Sequence, residues 1–193
     1  VQKLKLEADV QALQFDGSGI FLFAGTNKGN VDVYEASTAS NALTLKFQLK
    51  LSTGQITCII SVTATNGPDQ RAFLLVTTSD CCFYVIDCTC DLLGVLSNLV
   101  VRHCVRFEHA VSSLKSCYSP SENGYLISCS EDKDVSVYSL AEGSNYKRLS
   151  LKHHQSKVVA VAVNAQDTLL ASGDSLGRIV LWRRTGFYRI QEE

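Results

Sequence analysis

The sequence predicts an all-β fold: a β-propeller segment of about four antiparallel blades, four strands to each, forming part of a larger ring. Three observations carry this. Leu43-Thr44-Leu45-Lys46-Phe47-Gln48-Leu49-Lys50-Leu51 alternates apolar and polar residues without a break, the period-two pattern of a half-buried antiparallel strand. Clusters such as Asp16-Gly17-Ser18-Gly19, Asn27-Lys28-Gly29-Asn30 and Asp174-Ser175-Leu176-Gly177 punctuate the apolar runs with hairpin turn chemistry. A pair of strands joined by a polar turn then recurs, closing on Tyr34, Ile86, Tyr138 and Trp182, at intervals of 52, 52 and 44 residues. Four strands in each repeat of roughly 40–45 residues is a radial pattern rather than a sandwich.

The repeats divide the chain into four segments. In residues 1–51, Val10 to Phe15 reads as the inner strand, Leu22 to Tyr34 as the central pair and Leu43 to Leu51 as the outer strand. Leu4 and Leu6 read as the outer strand of a preceding blade, or as a strand completing the last one. Residues 52–107 repeat the pattern with Ile56 to Val62, Leu75 to Ile86 and Val100 to Phe107, stretched by loops at Ala64 to Arg71 and Asp91 to Leu99. Residues 108–151 supply Leu114 to Tyr118, Ile127 to Tyr138 and Tyr146 to Leu151. Residues 152–193 supply Val158 to Val163 and Leu170 to Trp182, with only Gly186 to Ile190 available as an outer strand.

Composition narrows the function. Hydrophobic residues make up 46% of the 193, enough for a sizeable core, and charged residues 19%. Eighteen Lys and Arg against nineteen Asp and Glu leave no overall field to attract nucleic acid or acidic lipid. The longest apolar run, Leu92 to Val101, is too short and too interrupted to cross a membrane as a helix. No charged n-region followed by an apolar stretch opens the chain, so no signal peptide is expected in it. The chain starts at Val1 and holds no Met, from which a longer parent protein is expected. Most of the eight cysteines sit inside apolar, strand-like runs, where Cys acts as a small hydrophobe, and a reducing compartment is expected.

The motifs carry a family resemblance. His153-His154 precedes the inner strand Val158 to Val163, followed by Leu169-Leu170-Ala171-Ser172-Gly173-Asp174 and the ending Leu181-Trp182-Arg183. His154 to Val163 and His109 to Tyr118 are both nine residues, and all four repeats fall in register. In these features the chain resembles the WD-repeat β-propeller family over nearly its whole length. The resemblance implies a non-catalytic protein that binds other proteins, without cofactor or small-molecule substrate, in the nucleus with the cytoplasm as the other compartment. It also implies a structural network of His109, Ser130, Asp132 and Tyr138 in the third repeat, with His154 and Trp182 as members in the fourth.

The other repeats depart from that pattern. The second keeps Thr78 and Asp80 but has Gln55 where His is expected; the first has Lys28 in the Asp position and no His. The fourth has Leu176 in the turn-Asp position and Asp174 two residues earlier, so one complete network at most is expected, in the third repeat. A Ser/His/Asp set also suggests a hydrolase, but no Gly-x-Ser-x-Gly elbow is present and a strand-embedded Ser130 points into packing. Cys81-Cys82, Cys88-x-Cys90 and His103-Cys104 lack paired Cys-x-x-Cys spacing, which favours structural cysteines over a metal site.

Charge is uneven along the chain. Residues 146–189 hold eight basic residues against only Asp167 and Asp174. Lys133, Asp134, Lys157 and Arg178 are the candidate partner-binding rim, whereas Arg183 and Arg184 fall at the opposite rim. This split weakens a nucleic-acid reading, and recognition of nucleic acid or of a phosphorylated or acidic partner through the basic last blade is the alternative to protein binding.

Overall fold

The computed structural model describes residues 4–37, 42–66, 69–90, 96–107, 116–120, 124–141 and 143–184. The first sheet is β1 (Val10–Phe15), β2 (Phe21–Thr26), β3 (Asn30–Ser37) and β4 (Ala42–Lys50), paired in that order. The second is β5 (Ile56–Asn66), β6 (Asp69–Thr78), β7 (Cys82–Cys90) and β8 (Leu96–Arg106). The third is β9 (Ser116–Ser119), β10 (Tyr125–Ser128), β11 (Asp134–Ser139) and β12 (Arg148–Lys152). The fourth has three strands among the described residues, β13 (Val158–Val163), β14 (Leu169–Asp174) and β15 (Ile179–Arg183). All pairings are antiparallel, as the alternating sequence requires.

The first strand of each sheet packs on the first strand of the next: β1 on β5, β5 on β9, and β9 on β13. The sheets therefore stand as successive blades of a propeller arc. Two cores fill the joints. Phe23, Val31 and Val33 of the first blade meet Ile56, Ile59, Leu74 and Val76 of the second. Leu75 and Phe83 of the second meet Leu126 and Tyr138 of the third, while Ile127 and Val135 of the third meet Val158 of the fourth. Phe83 is fully buried, its ring 5.3 Å from Phe107 and 5.5 Å from Tyr138. Burial of such a side chain contributes about 1.5–3 kcal/mol.

Several boundaries differ from the sequence reading. The expected loop from Ala64 to Arg71 is largely strand, because β5 runs to Asn66 and β6 starts at Asp69, with Thr63 paired to Ala72 and Thr65 to Gln70. β8 begins at Leu96 rather than Val100 and absorbs its extra length in register shifts at Val85/Ile86 and Thr89/Cys90. Leu4 and Leu6 belong to no strand; their segment is held to the β2–β3 turn by Asn27 N–H on the Asp9 carbonyl (2.9 Å) and Lys28 Nζ on the Glu7 carbonyl (3.1 Å). Lys152, assigned to the fourth segment by the repeat, closes β12. The expected outer strand at Gly186 to Ile190 lies outside the described residues.

One glycine sets how closely the first two blades approach. A Cβ on Gly25 would lie 2.4 Å from Ile56 Cγ2, so β2 and β5 meet only because that side chain is absent. Overpacking of this kind costs about 1–3 kcal/mol. Gly25→Ala is therefore expected to lower the urea unfolding midpoint by that equivalent. An unchanged midpoint would show that the joint yields freely.

Candidate functional site

The fourth blade closes a polar network around one buried imidazole. His154 precedes β13, Ser172 and Asp174 lie on β14, and Trp182 lies on β15 opposite Leu170. Trp182 Nε1–H donates to Ser172 Oγ at 2.7 Å, Ser172 Oγ is 2.7 Å from His154 Nε2, and His154 Nδ1 is 3.0 Å from Asp174 Oδ2. The acceptor-only carboxylate places the proton on Nδ1, so a neutral ring accepts at Nε2 from the Ser172 hydroxyl. His154, Ser172 and Asp174 are all buried.

The sequence reading placed the complete network in the third blade, whose His109 lies outside the described residues, and expected Leu176 to leave the fourth incomplete, yet the fourth closes. The physical reason is the double use of Asp174. Its Oδ1 accepts the Leu176 and Arg178 N–H groups at 3.0 Å each and ties the β14–β15 turn, while Oδ2 holds His154. A carboxylate at the strand end does the work of one in the turn, and Leu176 is left exposed. Burial raises the Asp174 pKa, but the Arg178 N–H, the His154 ring and the Leu176 N–H outweigh it and hold the carboxyl below its usual range.

In the third blade, His109 lies outside the described residues. Ser130 is buried and its Oγ accepts the Asp132 N–H at 3.0 Å, a contact within the turn. Strand register makes Ser128, opposite Ser136, the counterpart of Ser172, opposite Val180; Ser130 occupies the place of Asp174. Asp132 lies 3.9 Å from the Arg148 guanidinium at the surface. Tyr138 is buried against Phe83 and Phe107, filling the joint with its ring.

The second blade has its own solution, which the sequence did not reveal. Ser52 Oγ donates to Asp80 Oδ2 at 2.5 Å and accepts the Gly54 N–H at 2.8 Å, and Thr78 Oγ1 donates to Asp80 Oδ1. Ser52 thus does from the preceding loop what Gln55 could not. Burial raises the Asp80 pKa, yet the Ser52 and Thr78 hydrogen bonds and the Arg106 charge bring it below the usual range. Burial pushes the Cys117 and Cys129 thiols up to about 12, as expected of packing cysteines rather than nucleophiles. Among the described residues no three His, Cys, Asp or Glu side chains converge as metal ligands.

The candidate rim residues share one end of the third and fourth blades. Lys133 sits in the β10–β11 turn with φ 71°, Asp134 opens β11, and Lys157 precedes β13. Arg178 Nη1 donates to Gln155 Oε1 at 2.6 Å across the same end. Arg183 pairs with Leu169 at the far end of the sheet.

That far end borders a cleft that sequence reasoning missed. It has a volume of about 100 Å³ between the third and fourth blades. Tyr125, Ile127, Leu149 and Leu151 line one side and Leu170 and Trp182 the other, while Lys147, Arg183 and Arg184 stand at its edge. Asp167 bridges the blades, accepting from Ser119 Oγ at 2.7 Å and from Arg184 Nη1 at 2.7 Å. The lining residues come from seven strands of two repeats, so no local motif announces them.

The fold is that of a β-propeller segment. The chain matches a chain of the crystal structure of the mitotic checkpoint complex with TM-score 0.66 and 19% identity, covering 94% of this chain and 51% of that one. It matches the β-propeller domain of Cps50 (Swd1) from Myceliophteria thermophila with TM-score 0.69 and 19% identity, covering 93% and 52%. The chain therefore spans about half the length of these solved structures. Residues 102–139 and 145–183, from the end of the second blade through β15 of the fourth, match the family model of the WD domain, G-beta repeat.

Two outcomes test the fourth-blade network. Trp182→Phe removes one hydrogen bond and is expected to cost about 0.5–1.5 kcal/mol in denaturant unfolding, with His154→Ala costing more because it strands two buried partners. The lowered Asp174 pKa means its contribution is fully present above about pH 3.9, the unfolded value, and is lost as pH falls through the native value. Unfolding midpoints measured from pH 6 to pH 2 should show an acid limb that Asp174→Asn flattens.

Proposed function

We propose that the chain is a non-catalytic WD-repeat scaffold that binds other proteins, without cofactor or small-molecule substrate, as part of a nuclear regulatory complex. The observation that carries this reading is the cleft between the third and fourth blades. Rigid strands hold its apolar walls open and cations stand at its edge, a surface suited to a short protein segment with an apolar anchor. The similar chain of the mitotic checkpoint complex belongs to a protein assembly, which supports protein partners as a class. The nuclear assignment rests on Ser116-Cys117-Tyr118-Ser119-Pro120, Ser130-Glu131-Asp132 and Leu181-Trp182-Arg183-Arg184, which are similar to the C-terminal part of WD repeat-containing protein 13.

A second reading, recognition of nucleic acid or of a phosphorylated or acidic partner, draws on the exposed Lys157 and Arg178 at the opposite rim. Salt and mutation separate the two. In binding measurements with a captured partner, Leu149→Asp should weaken association at least tenfold with little salt dependence. If Lys157→Glu with Arg178→Glu abolishes binding instead, and affinity falls steeply with salt, the second reading replaces the first.

A further inference from the structure

Charge is sorted by strand in the first three blades. The third strands, β3, β7 and β11, carry Asp32, Glu35, Asp87 and Asp134 and no Lys or Arg. The outer strands, β4, β8 and β12, carry Lys46, Lys50, Arg102, Arg106, Arg148 and Lys152 and no Asp or Glu. The outer edge of these blades is therefore cationic, although the chain as a whole has a net charge of -1.

The six cations form two rows with different surroundings. In the first row each faces a carboxylate: Lys46 pairs with Glu35 at 2.7 Å, Arg102 with Asp87, and Arg148 lies 3.9 Å from Asp132. In the second row, register sets Lys50 opposite Asn30, Arg106 opposite Cys82 and Lys152 opposite Asp134, the same position on three successive blades. All three are exposed, and among the described residues none of them forms an ion pair. Lys50 Nζ donates to the Lys28 carbonyl, a neutral acceptor that leaves its charge uncancelled. Charge on an edge strand also blocks pairing with other sheets. That task does not require one sign at one register position on three blades.

We propose that Lys50, Arg106 and Lys152 are a docking row for an extended acidic protein segment that lies along the outer edge of the first three blades. Charge complementarity and the spacing of the row carry this choice of partner. A polypeptide can set single Asp or Glu side chains one blade apart and place neutral residues between them. Nucleic acid carries a phosphate at every nucleotide. It would also meet Asp80, within reach of the Arg106 charge, and Asp134 opposite Lys152. One exposed ion pair contributes little, so useful affinity requires the three cations to act together. The row is separate from the cleft between the third and fourth blades, and its test does not depend on that cleft.

Fluorescence anisotropy of the full chain with a fluorescein-labelled glutamate-rich peptide, at salt concentrations from about 50 to 200 mM, tests this. Binding is expected, and it should weaken as salt rises. Lys50→Gln, Arg106→Gln and Lys152→Gln should each weaken it roughly two- to fivefold, and the triple variant at least tenfold. Circular dichroism should stay unchanged, because all three side chains are exposed. Arg106→Lys, which keeps the charge, should bind as the parent chain does. No binding at the lowest salt, or binding that the triple variant retains in full, overturns the proposal. So does a single-stranded oligothymidylate that displaces the labelled peptide at lower concentration than the unlabelled peptide does. A triple variant that self-associates in sedimentation while keeping its affinity for the peptide also overturns it, since the row would then serve only to protect the strand edges.

Discussion

A four-stranded blade whose side chains are apolar on both faces cannot be stable by itself, so each sheet here depends on a neighbour to cover it. That requirement sets residue size at the joints more tightly than within the sheets. Ile56 reaches β2 only because Gly25 lacks a Cβ, and the Phe83 ring meets Phe107 and Tyr138 only because the strands around it stay in register. Interiors packed to crystal-like density transmit such constraints along the arc. The order of the blades follows from complementary neighbours rather than from strand propensity, which all four blades share.

Polar chemistry enters where packing leaves room for it. At the end of the second strand of each blade stands a small polar residue: Thr26, Thr78, Ser130 or Asp174. Thr26 bonds with Asn30 and Thr78 with the Cys82 carbonyl at the start of the third strand, while Ser130 takes the Asp132 N–H and Asp174 the Arg178 N–H within the turn. Only Asp174 has a second oxygen free to orient a histidine. In the fourth blade one extra acceptor atom extends a turn cap into a network that reaches the Trp182 N–H on the third strand.

Much of this was legible in the sequence. Period-two alternation and recurring turn residues located every sheet, because side chains on a half-buried strand must alternate. What was not legible depends on register and on distance along the chain. Asp174 looked displaced beside Leu176, yet a residue at a strand end and one in the adjoining turn can reach the same imidazole. Ser52 carries no motif, since it acts from a loop 28 residues before Asp80. The loop expected at Ala64 to Arg71 is instead largely strand, because the pairing of β5 with β6 continues through Thr63–Ala72, Thr65–Gln70 and Asn66–Asp69, partners that only register reveals.

The cleft shows how the joints and the polar networks combine. Its walls are the outer parts of two blades, and their spacing is fixed deeper in the joint, where Ile127 and Val135 pack against Val158. Asp167 then pins the edge from Ser119 on one blade to Arg184 on the other, neutralising one of the three cations there. Lys147 and Arg183 keep their charge toward solvent beside the apolar floor. A ligand with an apolar anchor would meet a cavity that is already formed, so little of its binding free energy is lost in ordering the protein. The same rigidity that requires each blade to have a neighbour therefore keeps a binding surface open between two of them.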